Sequence, residues 1–295
     1  LQAPVSSCTP AELPGLLDAL DMEFVFGRGR KLSLAERFPE VFAPAHVEHL
    51  LVAREQGRIV ASIAVRNFRW LDGGDEHAGA MIGMVWTDPA SRGRGLASLL
   101  LGHLQQALAE RADFAVLWTA QPQFYARLGW IAADCASFGT IEGTAAAPHA
   151  TASRVEFTAL ESIWRQQPQR VARPATWQPP LPLPAEALEF FRAGDAYAIA
   201  GRERAKGRQG TKRSGDKLYC YEILGSAAAI PALLANMRAR CGTLHFNERT
   251  DSAAYRALAG LGVAWEVKPL AMWLPLRAEV ASAALGWYVP WLDRI

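Results

Sequence analysis

Two glycines, Gly93 and Gly95, stand between a hydrophobic strand and an amphipathic helix, and this arrangement constrains the chain more than any other feature. Met81, Ile82, Met84, Val85 and Trp86 form a run dense in apolar side chains. Asp88-Pro89 ends it, because proline cannot extend a strand ladder. After Ser91-Arg92-Gly93-Arg94-Gly95-Leu96-Ala97, the residues Leu96, Leu99, Leu100, Leu104, Ala107 and Leu108 recur at helical spacing, with Gln105, Gln106 and Glu110 on the other side. The glycines therefore fall at a helix N-terminus. Free backbone N–H groups point outward there, the helix dipole adds positive potential, and glycine lets an anion approach without a Cβ in the way. With the fixed charge of Arg92 and Arg94, the turn is a socket for a diphosphate. A second glycine-rich stretch, Gly27-Arg28-Gly29-Arg30-Lys31, follows no clear strand and lacks this context.

Phe114 to Thr119 reads as a buried strand and is followed by Phe124-Tyr125-Ala126-Arg127-Leu128-Gly129-Trp130. On these residues the chain resembles the GNAT superfamily of acyl-coenzyme A dependent N-acyltransferases. Arg92-x-x-Gly95-x-Ala97 is similar to that family's pyrophosphate signature, and Phe124-Tyr125 with Leu128-Gly129-Trp130 to its tyrosine segment. The resemblance is strong over Gln56 to Trp130, looser before it and much weaker beyond Ala133. It implies that the backbone amides of Arg92, Gly93, Arg94, Gly95, Leu96 and Ala97 hold the pyrophosphate of acetyl-CoA. It further implies that the edge formed by Met84, Val85 and Trp86 pairs with the pantetheine arm, and that Tyr125 faces the thioester. The family often places an asparagine shortly before the tyrosine. Here only Gln121 or Gln123 stands in that position, and Gln121 is the expected cofactor contact.

The implied fold is α/β (α+β), a GNAT fold with a central mixed, mostly antiparallel sheet flanked by helices, followed by a second, smaller GNAT-like domain. At 295 residues the chain is long enough for two modest cores. The expected division is a domain with the acyl-CoA site at 1–141, a connector rich in proline and alanine at 142–184, and a degenerate GNAT-like domain at 185–295. Helices are expected over Pro10–Phe26 and Leu32–Phe42, then strands over His49–Arg54 and Arg58–Asn67, with a long hairpin connection from Phe68 to Gly79. In the connector, Val155–Arg165 can form an isolated helix. Beyond it the pattern gives a helix at Ala185–Ala193, strands at Ala196–Gly201 and Lys217–Leu224, and a helix at Ala227–Arg240. A strand at Gly242–Phe246, a helix at Ser252–Leu261 and a final pair of strands within Val263–Leu276 complete it. This order repeats the second half of the first domain without its socket, since Leu224 to Pro231 holds one glycine and no arginine.

Apolar content of 51%, charged content of 20% and a net charge of +2 describe an ordinary globular chain and call for neither nucleic acid nor membrane as partner. Cys8, Cys135, Cys220 and Cys241 are scattered, without the close pairs of a zinc site or the density of a disulfide scaffold. No apolar run is long enough to span a bilayer, and Leu1 to Cys8 lacks the pattern of a secretory leader, so a cytoplasmic location is expected. His46 and His49 share a helical spacing without a third ligand of matching spacing, so no metal site is expected. The run Gly201 to Lys217 carries seven basic residues against Glu203 and Asp216. Without interleaved aromatics it reads as a solvated loop rather than a nucleic-acid surface.

Acyl transfer to an amine needs a neutral amine, a polarised carbonyl and a proton donor for the leaving thiolate. Splaying of the strand at Val85 from Leu117 and Trp118 would free a backbone N–H, at Val85 or Met84, for the thioester oxygen. Tyr125 is the expected proton donor. No base stands out among Asp21, Glu23, Glu76 and His77, and the carboxylate of Ile295, at the end of an aromatic tail, is a further option. Trp70, Trp86 and Trp118 with Phe24 and Phe26 could line an acceptor pocket. The expected function is acetyl-CoA dependent N-acetyl transfer to a primary amine, on a small molecule or peptide, by direct attack in a ternary complex. The alternatives are a non-catalytic acyl-CoA sensor and an adaptor working through the basic loop. The chain is expected to be a monomer or a dimer.

Overall fold

The computed structural model describes residues 3–144, 158–174, 176–203 and 217–295. Edge strand β1 (Val5–Ser7) leads into α1 (Leu13–Phe24), which starts after a turn in which the Thr9 amide and hydroxyl both donate to Glu12. Leu13, Leu16 and Leu20 bury one face of α1. The single helix expected over 32–42 is instead two short pieces, α2 (Leu34–Arg37) and α3 (Pro39–Phe42). Pro39 has no N–H with which to continue α2, while Ser33 and Glu36 form a reciprocal capping box at its start. Strands β2 (Leu50–Glu55) and β3 (Arg58–Asp72) join at Gln56-Gly57, both with positive φ.

The expected long connection from Phe68 to Gly79 is a correction, because it is continuous ladder. β3 pairs with β4 (Asp75–Thr87) out to Asp72↔Asp75, turning on Gly73-Gly74. Buried Phe68 and Trp70 alternate with exposed Asn67 and Arg69, the period of a half-buried strand. Gly79 is what the packing requires here, since a Cβ would sit 2.6 Å from the Phe68 ring and 2.8 Å from Phe114. Then follow α4 (Leu96–Ala109), β5 (Phe114–Trp118), α5 (Pro122–Ala126), β6 (Ile131–Ala132) and β7 (Ala136–Glu142).

Past the undescribed residues 145–157 come α6 (Thr158–Arg165) and β8 (Gln169–Val171). Residues 185–193, expected as a helix, are strand β9 (Ala187–Ala193), which turns at Gly194 to pair with β10 (Ala196–Glu203). Hairpin pairing overrides the helical preference of alanine and glutamate. The chain closes with β11 (Lys217–Leu224), α7 (Ile230–Arg238), β12 (Thr243–Arg249), α8 (Ala253–Ala259), β13 (Ala264–Glu266), β14 (Ala271–Pro275) and α9 (Ala281–Ala284). Most of the basic run, residues 204–216, lies outside the described residues.

The strands make two mixed sheets flanked by helices. The first runs β1-β2-β3-β4-β5-β14-β6, with β8 added to the far end of β3, and the second runs β13-β7-β12-β11-β10-β9. The sheets do not part at residue 141 or at residue 184. β7 crosses into the second sheet to pair with β12, and β14 returns from the far end of the chain to pair with β5. Nor is the stretch 142–184 merely a spacer, because β8 continues the first sheet and Arg173 is buried between the two sheets' elements. No helix among the described residues is long and apolar enough to cross a membrane.

Candidate active site

The site is an opening between two parallel strands. β4 and β5 pair only where Gly79–Met81 meet Phe114–Val116, and beyond Met81 they separate. On its other edge β4 carries a bulge: Ser62 faces Trp86 and Ala64 faces Gly83, so Met84 and Val85 together oppose Ile63. Met84 adopts φ 47°, the left-handed region, which re-aims the backbone at this point. A cavity of about 480 Å³ fills the opening, bounded by Glu23 and Phe24 of α1, Val85 and Trp86 of β4, Arg92 and Tyr125. Thr87, Ala97, Thr119, Gln121 and Phe124 complete its wall.

Next to it lies the glycine turn. Gly93 and Gly95 have φ 77° and 76°, and a Cβ on either would meet nothing within 4 Å, so the backbone is open to a ligand. Gly95 is the N-cap of α4 and no side chain caps the helix, which leaves the first-turn amides for an anion. The Leu96 side chain points into the core, so only its main chain can serve the turn. Arg92 donates to the Thr87 carbonyl and pairs with Glu23 at 3.0 Å, while Arg94 grips Glu55 through two bonds of 2.6 and 2.8 Å. Solvent screens exposed pairs of this kind, so a phosphate can displace the carboxylates. The Glu55 contact spans 39 residues and has no signature in the sequence.

Tyr125 sits in α5, 8% exposed, its ring edge-on to Phe124 and Trp130. Its hydroxyl has no hydrogen-bond partner among the described residues. Burial raises its pKa, so the phenol keeps its proton throughout the physiological range. Gln121 borders the cavity at the start of α5. Of the acceptor-side aromatics, Trp86 and Phe24 reach the cavity. Trp70 is buried elsewhere against Trp287, Trp118 lies under the Arg294 guanidinium, and Phe26 is 42% exposed. Asp21 accepts from the Leu34 amide at 2.7 Å and is buried, a structural role, and Glu76 pairs with Arg69. The tail does arrive: a Cβ on Gly83 would stand 3.0 Å from the Ile295 carbonyl oxygen, next to the bulge.

Two other groups bear on chemistry. Glu48 supplies a third donor beside His46 and His49, all within 4.8 Å of one another, which the spacing of the histidines alone did not reveal. His49 also bonds the Val65 carbonyl through Nδ1 at 2.8 Å. The four cysteines form no disulfide with one another, and burial pushes the Cys135 thiol up, away from a reactive thiolate.

Residues 5–133 match the family described as "Acetyltransferase (GNAT) domain". The matched stretch, 129 of the 295 residues, is similar to that domain. The strand opening, the bulge and the glycine turn described above all fall inside it. Over the whole chain the fold is that of solved GNAT proteins. A GCN5-related N-acetyltransferase from Anabaena variabilis superposes with a TM-score of 0.68 at 17% identity, covering 93% of this chain and 73% of the other. Eis1 from Mycobacterium abscessus gives 0.63 at 16% identity, with 96% and 75% covered. A probable N-acyltransferase from Enterococcus faecalis gives 0.66 at 15%, with 94% and 73% covered. Among curated proteins no sequence matches the chain. The match over residues 5–133 supports an acyltransferase activity in general terms.

Proposed function

We propose that the protein is an acetyl-CoA dependent N-acetyltransferase that moves the acetyl group to a primary amine by direct attack, without a covalent enzyme intermediate. The observation that carries this reading is the meeting, around one cavity, of the β4/β5 opening, the Met84–Val85 bulge, the uncapped glycine turn and Tyr125. When bound, acetyl-CoA supplies the activated acyl group. The amides from Arg92 to Ala97 hold its pyrophosphate, and the free edge of Met84, Val85 and Trp86 pairs with its pantetheine arm. An N–H at Met84 or Val85, released from the ladder by the bulge, polarises the thioester carbonyl. The amine attacks as its neutral form, having lost a proton to water. As the tetrahedral adduct collapses, Tyr125 gives its phenolic proton to the departing thiolate; the transfer is uphill toward a thiol with a pKa of about 8.5, and it is drawn forward when the proton shed by the attacking nitrogen returns through water to the phenolate.

Calorimetric titration with acetyl-CoA and with CoA tests the reading. Micromolar binding by the wild type that Arg92→Ala/Gly95→Glu abolishes is the expected result, and no binding by the wild type would sink it.

A further inference from the structure

The second sheet repeats one feature of the first. β11 and β12 run parallel and in register from Lys217↔Thr243 to Cys220↔Phe246, then part as β4 and β5 do. A cavity of about 340 Å³ lies in this opening, within the roughly 300–1,000 Å³ of small-molecule sites. Trp164, Tyr221, Ile230 and Pro290 give it apolar walls, and Glu248 of β12 gives it an acid. A diphosphate has no place here. Gly225, the one glycine of the turn after β11, is packed tightly on Ala196, and the Ser226 hydroxyl accepts from the Ala229 amide at the start of α7.

Glu248 is 7% exposed, and the one hydrogen bond to its carboxyl among the described residues comes from the Ser252 hydroxyl at 3.1 Å. The other charged groups around it have contacts of their own, although the buried Nε of Arg170 has no partner among the described residues. Glu222 of β11 is held by Arg173 and Tyr197, and Arg249 is tied to Asp251 and Gln169. Arg294 of the tail bonds Val289 and Asn247, and Arg170 bonds the Gln167 carbonyl and lies over Trp164. Cys220, buried, and Tyr288, half-buried, both have their pKa values pushed up and are neutral. A buried carboxyl with a free oxygen facing a partly apolar cavity is completed by a cation that brings its own hydrogen-bond donors. We propose that this opening is a second, non-catalytic site that binds a small primary amine with an apolar body, its ammonium group held by Glu248.

Proton balance makes the proposal specific. Burial pushes the Glu248 carboxyl up to about 8, against Arg294 and Ser252, which favour the ionised form. At neutral pH the empty site therefore holds the acid protonated. An arriving ammonium forms the carboxylate–ammonium pair and sends one proton to the buffer, so affinity climbs as pH rises toward 8. It declines again where the amine itself loses its proton, near ~10.

The test is titration of the full chain with 2-phenylethylamine and with its neutral analogue 2-phenylethanol, with no acyl donor present, so the outcome does not depend on the acyltransferase reading. Expected are saturable amine binding with about one proton released at pH 7, at least ~10-fold weaker binding of the alcohol, and a similar loss in Glu248→Gln. Ala253→Leu, which fills the opening without touching the acid, weakens the amine too and decides the matter if Glu248→Gln does not fold. Absence of saturable binding, or amine binding that survives the substitutions, overturns the proposal.

Discussion

Individual side chains set the chemistry, and two of them make separable predictions. Tyr125 is expected to act only after the amine has attacked. Tyr125→Phe keeps the ring that packs on Phe124 and Trp130 but has no proton to give. Steady-state kinetics should show kcat reduced about 10²-fold with KM for the acyl donor nearly unchanged; an unchanged kcat would remove Tyr125 from the mechanism. Glu12 illustrates pH dependence away from the site. Hydrogen bonds from Arg54 hold its carboxyl at about 2, below the ordinary value of 4.5. The sign follows: the contact's contribution is complete above pH 4.5 and disappears as pH falls through 2. The pair is partly solvated, so it is worth about 1 kcal/mol or less, and Glu12→Gln should flatten that part of a stability-versus-pH curve measured by urea unfolding. The residues of the glycine turn were legible in the sequence because each answers a local demand for space or for φ. Their partners Glu23 and Glu55 were not, since each pairing bridges distant segments.

At the scale of elements, the strand opening does what no single residue can. It depends on a slip of register between β3 and β4 and on β5 ending its pairing with β4 at Val116. The apolar run from Met81 to Trp86 announced the strand but could not say that Met84 would take a positive φ, which is decided by what packs on each side. Gly83 shows the same limit. Its place looks unremarkable in the sequence, yet a Cβ there would press on Ile295 at 3.0 Å. Gly83→Val is expected to push the tail off the bulge and cost about 1–3 kcal/mol through overpacking, with acyl transfer falling alongside. Chemical denaturation and initial-rate assays on the same preparation would check this, and unaltered values for both would show that the tail does not need its seat. Helix α1 and the α4 region were readable from periodicity alone. Residues 185–193 read as helix because alanine and glutamate favour helix locally, while the hairpin of β9 with β10 supplies a partner that only the tertiary structure provides.

For the molecule as a whole, a buried ion network ties the parts together. Arg173 bonds both Glu222 of β11 and Asp293 of the tail, lies over the Trp177 ring at 4.2 Å, and all three charged groups are nearly sealed from solvent. Arg66 of β3 also donates to the Asp293 carbonyl, so the first sheet, the second sheet and the tail converge on one point. Removing the guanidinium would leave two buried carboxylates without a counter-charge. Arg173→Ala should therefore cost ~3–5 kcal/mol in thermal or urea unfolding, and Arg173→Lys should recover only part, because an ammonium cannot replace two forked contacts. A loss under 1 kcal/mol would mean that water or another cation takes its place. The sequence by itself determined what depends on neighbours along the chain: the strand, glycine turn and helix around Gly95, the tyrosine segment, and the lack of such a turn after β11. The tertiary structure alone decided that β7 and β14 exchange sheets, that the tail reaches Gly83, and that Glu248 faces a cavity. Those outcomes come from burial and pairing between segments far apart in the chain, and local propensity carries no record of either.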